Sequence, residues 1–397
     1  MIETDKDRIG YYTSVITSVH QVDRRSWNEC ANFTNCIGKK NFGNPFLSHE
    51  FFCCLEDSGA VSQKTGWIAQ HILLHKSDKS IIGIFPNFLK SHSWGEYIFD
   101  HIFANAWENA GGKYYPKLMS GVPFTPVAGE RFLIKSGINK KTAISLMLLT
   151  LKDLAKAFKV SSAHINFVCK RQCETMPDDI EWLKRYSIQF HWENKNYANF
   201  NHFLLDLTSS KRKIIRRERR EIQNSSIIMD IVTAEDIKNF HADIFYQFYL
   251  STIEKKWGGA YLNKKFWHLL IENLKNRIVF IFAKESNENI AGAINLIDSN
   301  AIYGRNWGAV KEIKFLHFET CYYQAIDFAI KHGLKTVEAG AQGMHKIQRG
   351  YLPKETFSKH YFLNRDFRRV ASNYLESEKK QIKNEIRILE KKSPFRK

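Results

Sequence analysis

Few marks of a secreted, membrane-spanning or metal-built protein are present in this chain of 397 residues. Its cysteines, Cys30, Cys36, Cys53, Cys54, Cys169, Cys173 and Cys321, are odd in number and scattered, which is the wrong pattern for a disulfide framework and fits reduced thiols. Cys169 and Cys173 have no matching second pair or histidine spacing, so no metal is expected. The first ten residues mix Glu3, Asp5 and Asp7 with Lys6 and Arg8, without the apolar stretch of a signal peptide. No apolar run approaches the roughly 20 residues that span a bilayer. The strongest, Ala143 to Leu151, ends at Lys152. A cytoplasmic protein is expected, with no transmembrane segment. P-loop, dinucleotide fingerprint and nucleophile elbow are also missing, since Gly340 to Gly343 has the wrong spacing for each.

Acidic residues are in short supply: 41 Asp and Glu stand against 59 Lys and Arg, a net charge of +18. Such an excess gathers polyanions, whether RNA, a phosphate-rich carrier or an anionic membrane surface touched peripherally. What is there otherwise is globular. Apolar residues at 44% and charged residues at 25% exclude a disordered or fibrous chain, and the length suits two domains.

One supersecondary pattern occurs twice. Trp67 to His75 reads as a strand, Lys76 to Lys79 as a polar turn and Ser80 to Leu89 as a second strand. Ile278 to Ala283, the polar Lys284 to Asn289 and a strand through Ala291-Gly292-Ala293 repeat it. Each hairpin precedes an amphipathic helix and a short apolar strand: Lys140 to Phe158 with Ala163 to Val168, then Phe315 to Lys331 with Lys335 to Ala339. In the second helix Phe318, Tyr322, Ala325 and Ala329 share a face, and Gly333 supplies a left-handed cap. This order implies an α/β layer used twice. The boundary is expected near Lys195 to Phe200, between strands Ile188 to Trp192 and His202 to Leu207.

Four segments could carry chemistry. Lys211, Arg212 and Lys213 open a helix that continues through Arg216 and Arg217, with Ile214, Ile215 and Ile222 gathered beside Glu218 and Glu221. Cations at the positive end of a helix dipole favour a bound phosphate. The plainer alternative is a solvated face with pairs such as Arg217 and Glu221. Between the first hairpin and its helix runs a long aromatic stretch containing Tyr97, Asp100, Tyr115, Lys117 and Thr125, a candidate binding element. Finally, Tyr303 to Gly308 carries Arg305 and Trp307, and Val337 to Pro353 carries Glu338, Gln342, His345, Arg349 and Tyr351 among three glycines. That loop follows a strand and should line the crevice at its carboxyl end. Backbone N–H groups there suit an oxyanion, Glu338 and His345 are candidate bases for an attacking amine, and Tyr351 is a candidate proton donor with an aromatic wall residue as the alternative. His317 and Cys321 share a helix face, but no acid to orient the base accompanies them.

The stretches Asn44-Pro45-Phe46-Leu47-Ser48, Gly95-Glu96-Tyr97, Tyr114-Tyr115-Pro116-Lys117-Leu118, Pro123-Phe124-Thr125-Pro126-Val127, Lys211-Arg212-Lys213, Lys256-Trp257-Gly258, Gly304-Arg305-Asn306-Trp307-Gly308, Glu338-Ala339-Gly340-Ala341-Gln342-Gly343 and Arg349-Gly350-Tyr351-Leu352-Pro353 resemble those of bacterial FemAB-like proteins within the GNAT acyltransferase superfamily. The likeness runs from Thr13 to Phe395. It implies an α/β fold of two tandem GNAT-like (acyl-CoA N-acyltransferase) lobes with mixed, largely antiparallel sheets flanked by helices. The lobes are drawn at 1–197, with the aromatic loop, and 198–397, with the basic and C-terminal helices. The resemblance also implies an N-acyltransferase whose acceptor is an amine, such as a peptidoglycan-related precursor. Its donor is an activated, phosphate-bearing co-substrate, acyl-CoA or aminoacyl-tRNA. Neither the pyrophosphate loop of many GNAT enzymes nor the tRNA-binding helical hairpin of some Fem enzymes is evident, so the donor stays open and tRNA is one candidate partner. Expected substrate contacts are Tyr97, Asp100, Tyr115, Lys117, Thr125, Lys211, Arg212, Arg216, Trp257, Arg305, Trp307, Gln342 and Arg349, with Arg305, Arg349 and the basic helix meeting donor or acceptor phosphates. A non-catalytic protein that binds RNA or a precursor on the same scaffold is the alternative.

Overall fold

The computed structural model describes residues 10–33, 42–177, 181–254, 259–341 and 343–396. They gather into two compact units, one of residues 10–33, Phe46–Ser187 and Thr356–Ile382, the other of 42–45, Ile188–Glu355 and 383–396. The lobes drawn from the sequence are contiguous, whereas these units interleave, because the first takes back a strand and most of a helix near the end of the chain.

Strands of the first unit are β1 (Tyr11–Ile16), β2 (Trp67–Ala69), β3 (His71–Lys76), β4 (Ile81–Phe85), β5 (Asn87–Lys90), β6 (Lys117–Ser120), β7 (Leu133–Ile134) and β8 (Ser162–Val168). An antiparallel sheet has the order β1-β3-β4-β7, while β2, β5, β6 and β8 lie side by side, the last two parallel. The hairpin expected over Trp67 to Leu89 therefore bends, and each of its strands breaks to serve both sheets. Pro86 has no N–H to give a ladder, and at the other break Gln70 N–H donates to Asn87 O at 2.8 Å. Helix Lys140–Ala157 starts where the Asn139 side chain accepts from the N–H groups of Lys141 and Thr142. It buries Ala143, Ile144, Met147, Leu148, Leu151 and Ala155, one face at helical spacing, in the core of this unit.

The remaining strands are β9 (Leu183–Glu193), β10 (Ile227–Thr233), β11 (Ile278–Glu285), β12 (Glu288–Ile297), β13 (Ala301–Ala309), β14 (Thr336–Glu338) and β15 (Leu352–Phe362). In the second unit the order is β10-β11-β12-β13-β14-β9, antiparallel except for the parallel pair β13 and β14. Strands β9 and β15 contribute residues to both units. The later half of β15 pairs with β8 in the first, setting His360 opposite His164.

The second duplicated helix forms as Leu316–Phe318, a π-helical turn Glu319–Tyr323 and Gln324–Lys331, and closes at Gly333 with φ +65°. Helix Ser209–Gln223 buries Ile215, Glu218 and Ile222. One expected strand is a helix: most of His202 to Leu207 lies in Phe200–Asp206. Asn199 caps it by accepting from His202 N–H, and Phe200, Phe203, Leu204 and Leu207 recur at i, i+3, i+4 and i+7 in the core. That helical period outweighs a short apolar run. The chain closes with helix Arg365–Glu390. Among the described residues, no helix is long and apolar enough to cross a membrane.

Candidate active site

Strands β13 and β14 run parallel for three residues, Ala301–Tyr303 against Thr336–Glu338, and then part. After Glu338 the chain stays with β9, where Ala339 N–H donates to Phe190 O and Phe190 N–H to Gly340 O, both at 3.1 Å. Strand β13 continues beside β12, and Arg305 is the extra residue of a bulge between Gly304 and Asn306. A bulge bends its strand and re-aims side chains. Gly304 allows the two strands to start close, since a Cβ there would lie 3.2 Å from Glu338 O. The resulting notch holds about 110 Å³ and is lined by Gly304, Arg305, Asn306, Trp307, Cys321, Tyr322 and Ala339 among others. Trp307 and His317 line both the notch and a wider depression of about 620 Å³ that reaches Ser251, Lys311 and Lys314.

Glu338 shares a sheet face with its in-register neighbours Tyr303 and His191. Its Oε2 is buried without a hydrogen-bond partner, 3.8 Å from His191 Nε2. Burial, reinforced by Asp298 and opposed by Arg305, pushes the carboxyl up to about 8. Burial also drives His191 down to about 4, so the neighbouring imidazole is neutral. An acid so placed exchanges its proton near neutral pH. His345 lies on the turn Met344–Arg349 with Nε2 3.0 Å from the Tyr322 hydroxyl and its ring beside His317 and Phe318. Burial lowers its pKa as well. Among the described residues no hydrogen bond joins Glu338 to His345.

Sequence reasoning missed Lys346. Its ammonium donates to Ala339 O and, at 3.4 Å, to Gly340 O, pinning the turn that leaves Glu338, and burial lowers its pKa to about 8. Its one mark in the sequence is a cation inside a glycine-rich loop.

Several expected contacts are interior instead. Tyr351 is wholly buried in the core of the second unit, where its hydroxyl donates to Tyr322 O at 3.2 Å. Arg349 donates to both Glu218 oxygens, at 2.7 and 2.8 Å, with its guanidinium over the Phe318 ring. A buried carboxylate thus takes the place of the expected phosphate. On the basic helix Lys211 and Arg212 are half-buried and Arg216 is exposed. Arg216 lines a separate polar depression of about 400 Å³ with Arg219 and Gln223. In place of the expected Arg217 and Glu221 pair, Glu221 faces Lys314 at 3.9 Å and Arg217 lies over Phe315. Trp257 and Gln342 lie outside the described residues. Among the described residues, Arg305 and Trp307 are the expected substrate contacts that line the notch.

Tyr97, Asp100, Tyr115, Lys117 and Thr125 belong to the first unit. Lys117 is wholly buried and donates to Ser93 Oγ at 2.7 Å, Glu96 Oε2 at 2.8 Å and Asp100 Oδ2. Asp100 also accepts from the Tyr114 hydroxyl at 2.8 Å, and Thr125 donates to Pro123 O. Asp100, Lys117 and Thr125 therefore bind their own neighbours in the interior, while Tyr97 is exposed and Tyr115 half-buried with its hydroxyl 2.8 Å from Ser93 Oγ. Lys90, also missed, lies over the Trp67 ring and is lowered to about 7, chiefly by burial. So was the buried pair of His164 and His360, whose Nδ1 atoms lie 2.6 Å apart.

A family model described as peptidoglycan biosynthesis/recognition matches residues 18–397. The chain belongs to the FemAB-like family. Its fold is similar to that of FemX, at 11% identity and a TM-score of 0.54, with 88% of this chain and 98% of FemX covered. A conserved protein of unknown function from Bacteroides thetaiotaomicron VPI-5482 is similar at 11% identity and 0.51, covering 88% of this chain and 100% of that one. A tandem GNAT protein from the clavulanic acid biosynthesis pathway aligns at 6% identity and 0.43, covering 89% and 99%. Comparison with curated proteins gives no match. The FemAB-like chain is an α/β protein of two compact units, with mixed, largely antiparallel sheets flanked by helices, and its family is tied to peptidoglycan biosynthesis or recognition.

Proposed function

We propose that this FemAB-like chain is an N-acyltransferase that moves an acyl or aminoacyl group from acyl-CoA or aminoacyl-tRNA to an amine of a peptidoglycan-related acceptor. One observation carries the reading: β13 and β14 part beside Glu338, whose buried, unpartnered oxygen belongs to an acid raised to about 8. In the reaction the amine nitrogen attacks the donor carbonyl carbon and gives its proton to Glu338. The C–S bond of a thioester or the C–O bond of an ester breaks, and the departing sulfur or oxygen takes that proton from Glu338, which restores the carboxylate. The edge of β13 beyond Tyr303, no longer paired with β14, is the local source of N–H donors for the oxyanion. Lys311 and Lys314 beside the wider depression offer positive charge to donor phosphates.

In this reading the second unit, which holds Glu338 and the notch, carries the reaction. The test is incubation of the protein with labelled acyl-CoA, or with charged tRNA, plus amine acceptors. Transfer that depends on Glu338 supports the enzyme. Binding of RNA or precursor with no transfer from either donor overturns it.

A further inference from the structure

The segment from Trp94 to Ile102 is built inside out. Its acids, Glu96 and Asp100, are buried with Ile98, while Trp94, Tyr97, Phe99 and Ile102 are 64, 42, 64 and 45% exposed. Burying charge and leaving rings in water reverses the usual preference, and the fold holds the reversal in place. Lys117 binds both carboxylates in the interior. Arg185 donates to Phe99 O at 2.8 Å, Lys90 to Trp94 O at 3.3 Å, and Phe124 N–H to Gly95 O at 3.0 Å. Tyr97 is held at φ +58°, a left-handed conformation that a non-glycine residue keeps only when its surroundings impose it. The rings are therefore presented by a backbone tied to the core, which lowers the ordering cost of binding.

The chemistry of the outward side selects among partners. From residue 91 to 112 there is no Lys or Arg, which a nucleic-acid groove needs between its stacking rings. A sugar site surrounds its aromatic face with a few placed polar groups, and here the carboxylates of the segment are bound inside. What remains outward is three rings and an isoleucine, with the imidazoles of His92 and His101 lying against Trp94 and Phe99. Such rings settle at the headgroup level of a bilayer, and a net charge of +18 draws the chain to an anionic surface. We propose that Trp94, Tyr97, Phe99 and Ile102 form a docking tip that enters the interface of an anionic bilayer. This stands apart from the acyl-transfer reading.

The test mixes the full chain with vesicles of equal parts phosphatidylglycerol and phosphatidylcholine, and with vesicles of phosphatidylcholine alone. The protein should sediment with the anionic vesicles. Combining Trp94→Ser with Phe99→Ser should weaken that partition about tenfold per ring, while Ile228→Ser, at an exposed position on β10, leaves it unchanged. Circular dichroism and the thermal midpoint check that the double variant folds, as side chains outside the core allow. No binding of the unaltered chain to anionic vesicles, or undiminished binding of the double variant, overturns the proposal. So does ring-dependent dimerisation without vesicle binding, which would make a second copy the occupant.

Discussion

Lys117 donates to Glu96 Oε2 across 2.8 Å with neither side chain reaching solvent. Burial pulls the lysine pKa down, but Glu96 and Asp100 outweigh it and leave the ammonium above its ordinary value. Lys117→Met would strand two carboxylates in the interior. It should cost about 3–5 kcal/mol, read from urea denaturation, and a loss below about 1 kcal/mol would show that the cluster does not depend on its cation.

Turnover should depend on Glu338 far more than on His345. Glu338→Gln lowers kcat by about 10²-fold or more if the carboxylate is the base, while His345→Gln, which removes a ring already bonded to Tyr322, lowers it less than about tenfold. Equal losses, or none, would move the site elsewhere.

The pH profile carries a signature of the same group. A base works unprotonated, so kcat/KM should climb with pH and level off above about 8. Stability should run the other way. A carboxyl whose folded pKa is raised holds its proton more tightly in the folded state, so folding weakens as pH rises from the ordinary carboxylate range through about 8. Glu338→Gln should remove that slope and raise Tm at pH 8, measured by calorimetry.

Lys346 positions a turn and touches no reacting atom in the proposed step. Lys346→Met should lower kcat about tenfold by loosening the carbonyls of Ala339 and Gly340. The midpoint of the Glu338 pH profile should stay where it was, which separates positioning from proton transfer.

Surface and interior arginines should separate cleanly. RNA binding through the basic helix weakens with salt, and reversing Arg216 and Arg217 to Glu should flatten the log–log slope by about 1.8 for two lost phosphate contacts. Arg349→Lys should leave the slope unchanged and destabilise the fold, because a lysine has no second nitrogen to hold His345 O while the first binds Glu218.

Periodicity made much of the fold legible: the Phe318, Tyr322, Ala325 and Ala329 stripe, the cap at Gly333 and the buried side of the basic helix are all local patterns. What stayed hidden was non-local. A strand that breaks to serve two sheets at Pro86 reads like one continuous strand, and the helix from Phe200 was masked by an apolar run too short to show its period plainly. Glu338 could be singled out because it ends a strand and precedes glycines. Its neighbours Tyr303 and His191 arrive by strand pairing, and Asp298, which raises it, stands on the turn before β13, bonded to Ala301 N–H and the Tyr303 hydroxyl. For the same reason Arg349 resembled a phosphate ligand, since only the folded chain shows Glu218 beside it.

The interleaving of the two units sets a timetable at the ribosome. Phe357 and Tyr361 belong to the core of the first unit, and His360 completes its buried imidazole pair, yet all three are synthesised after nearly the whole of the second. Domains usually mature in the order they emerge. Here the earlier half must wait, incomplete, for a strand translated almost last, so nascent chains stalled before residue 356 should expose an unfinished core to chaperones and proteases.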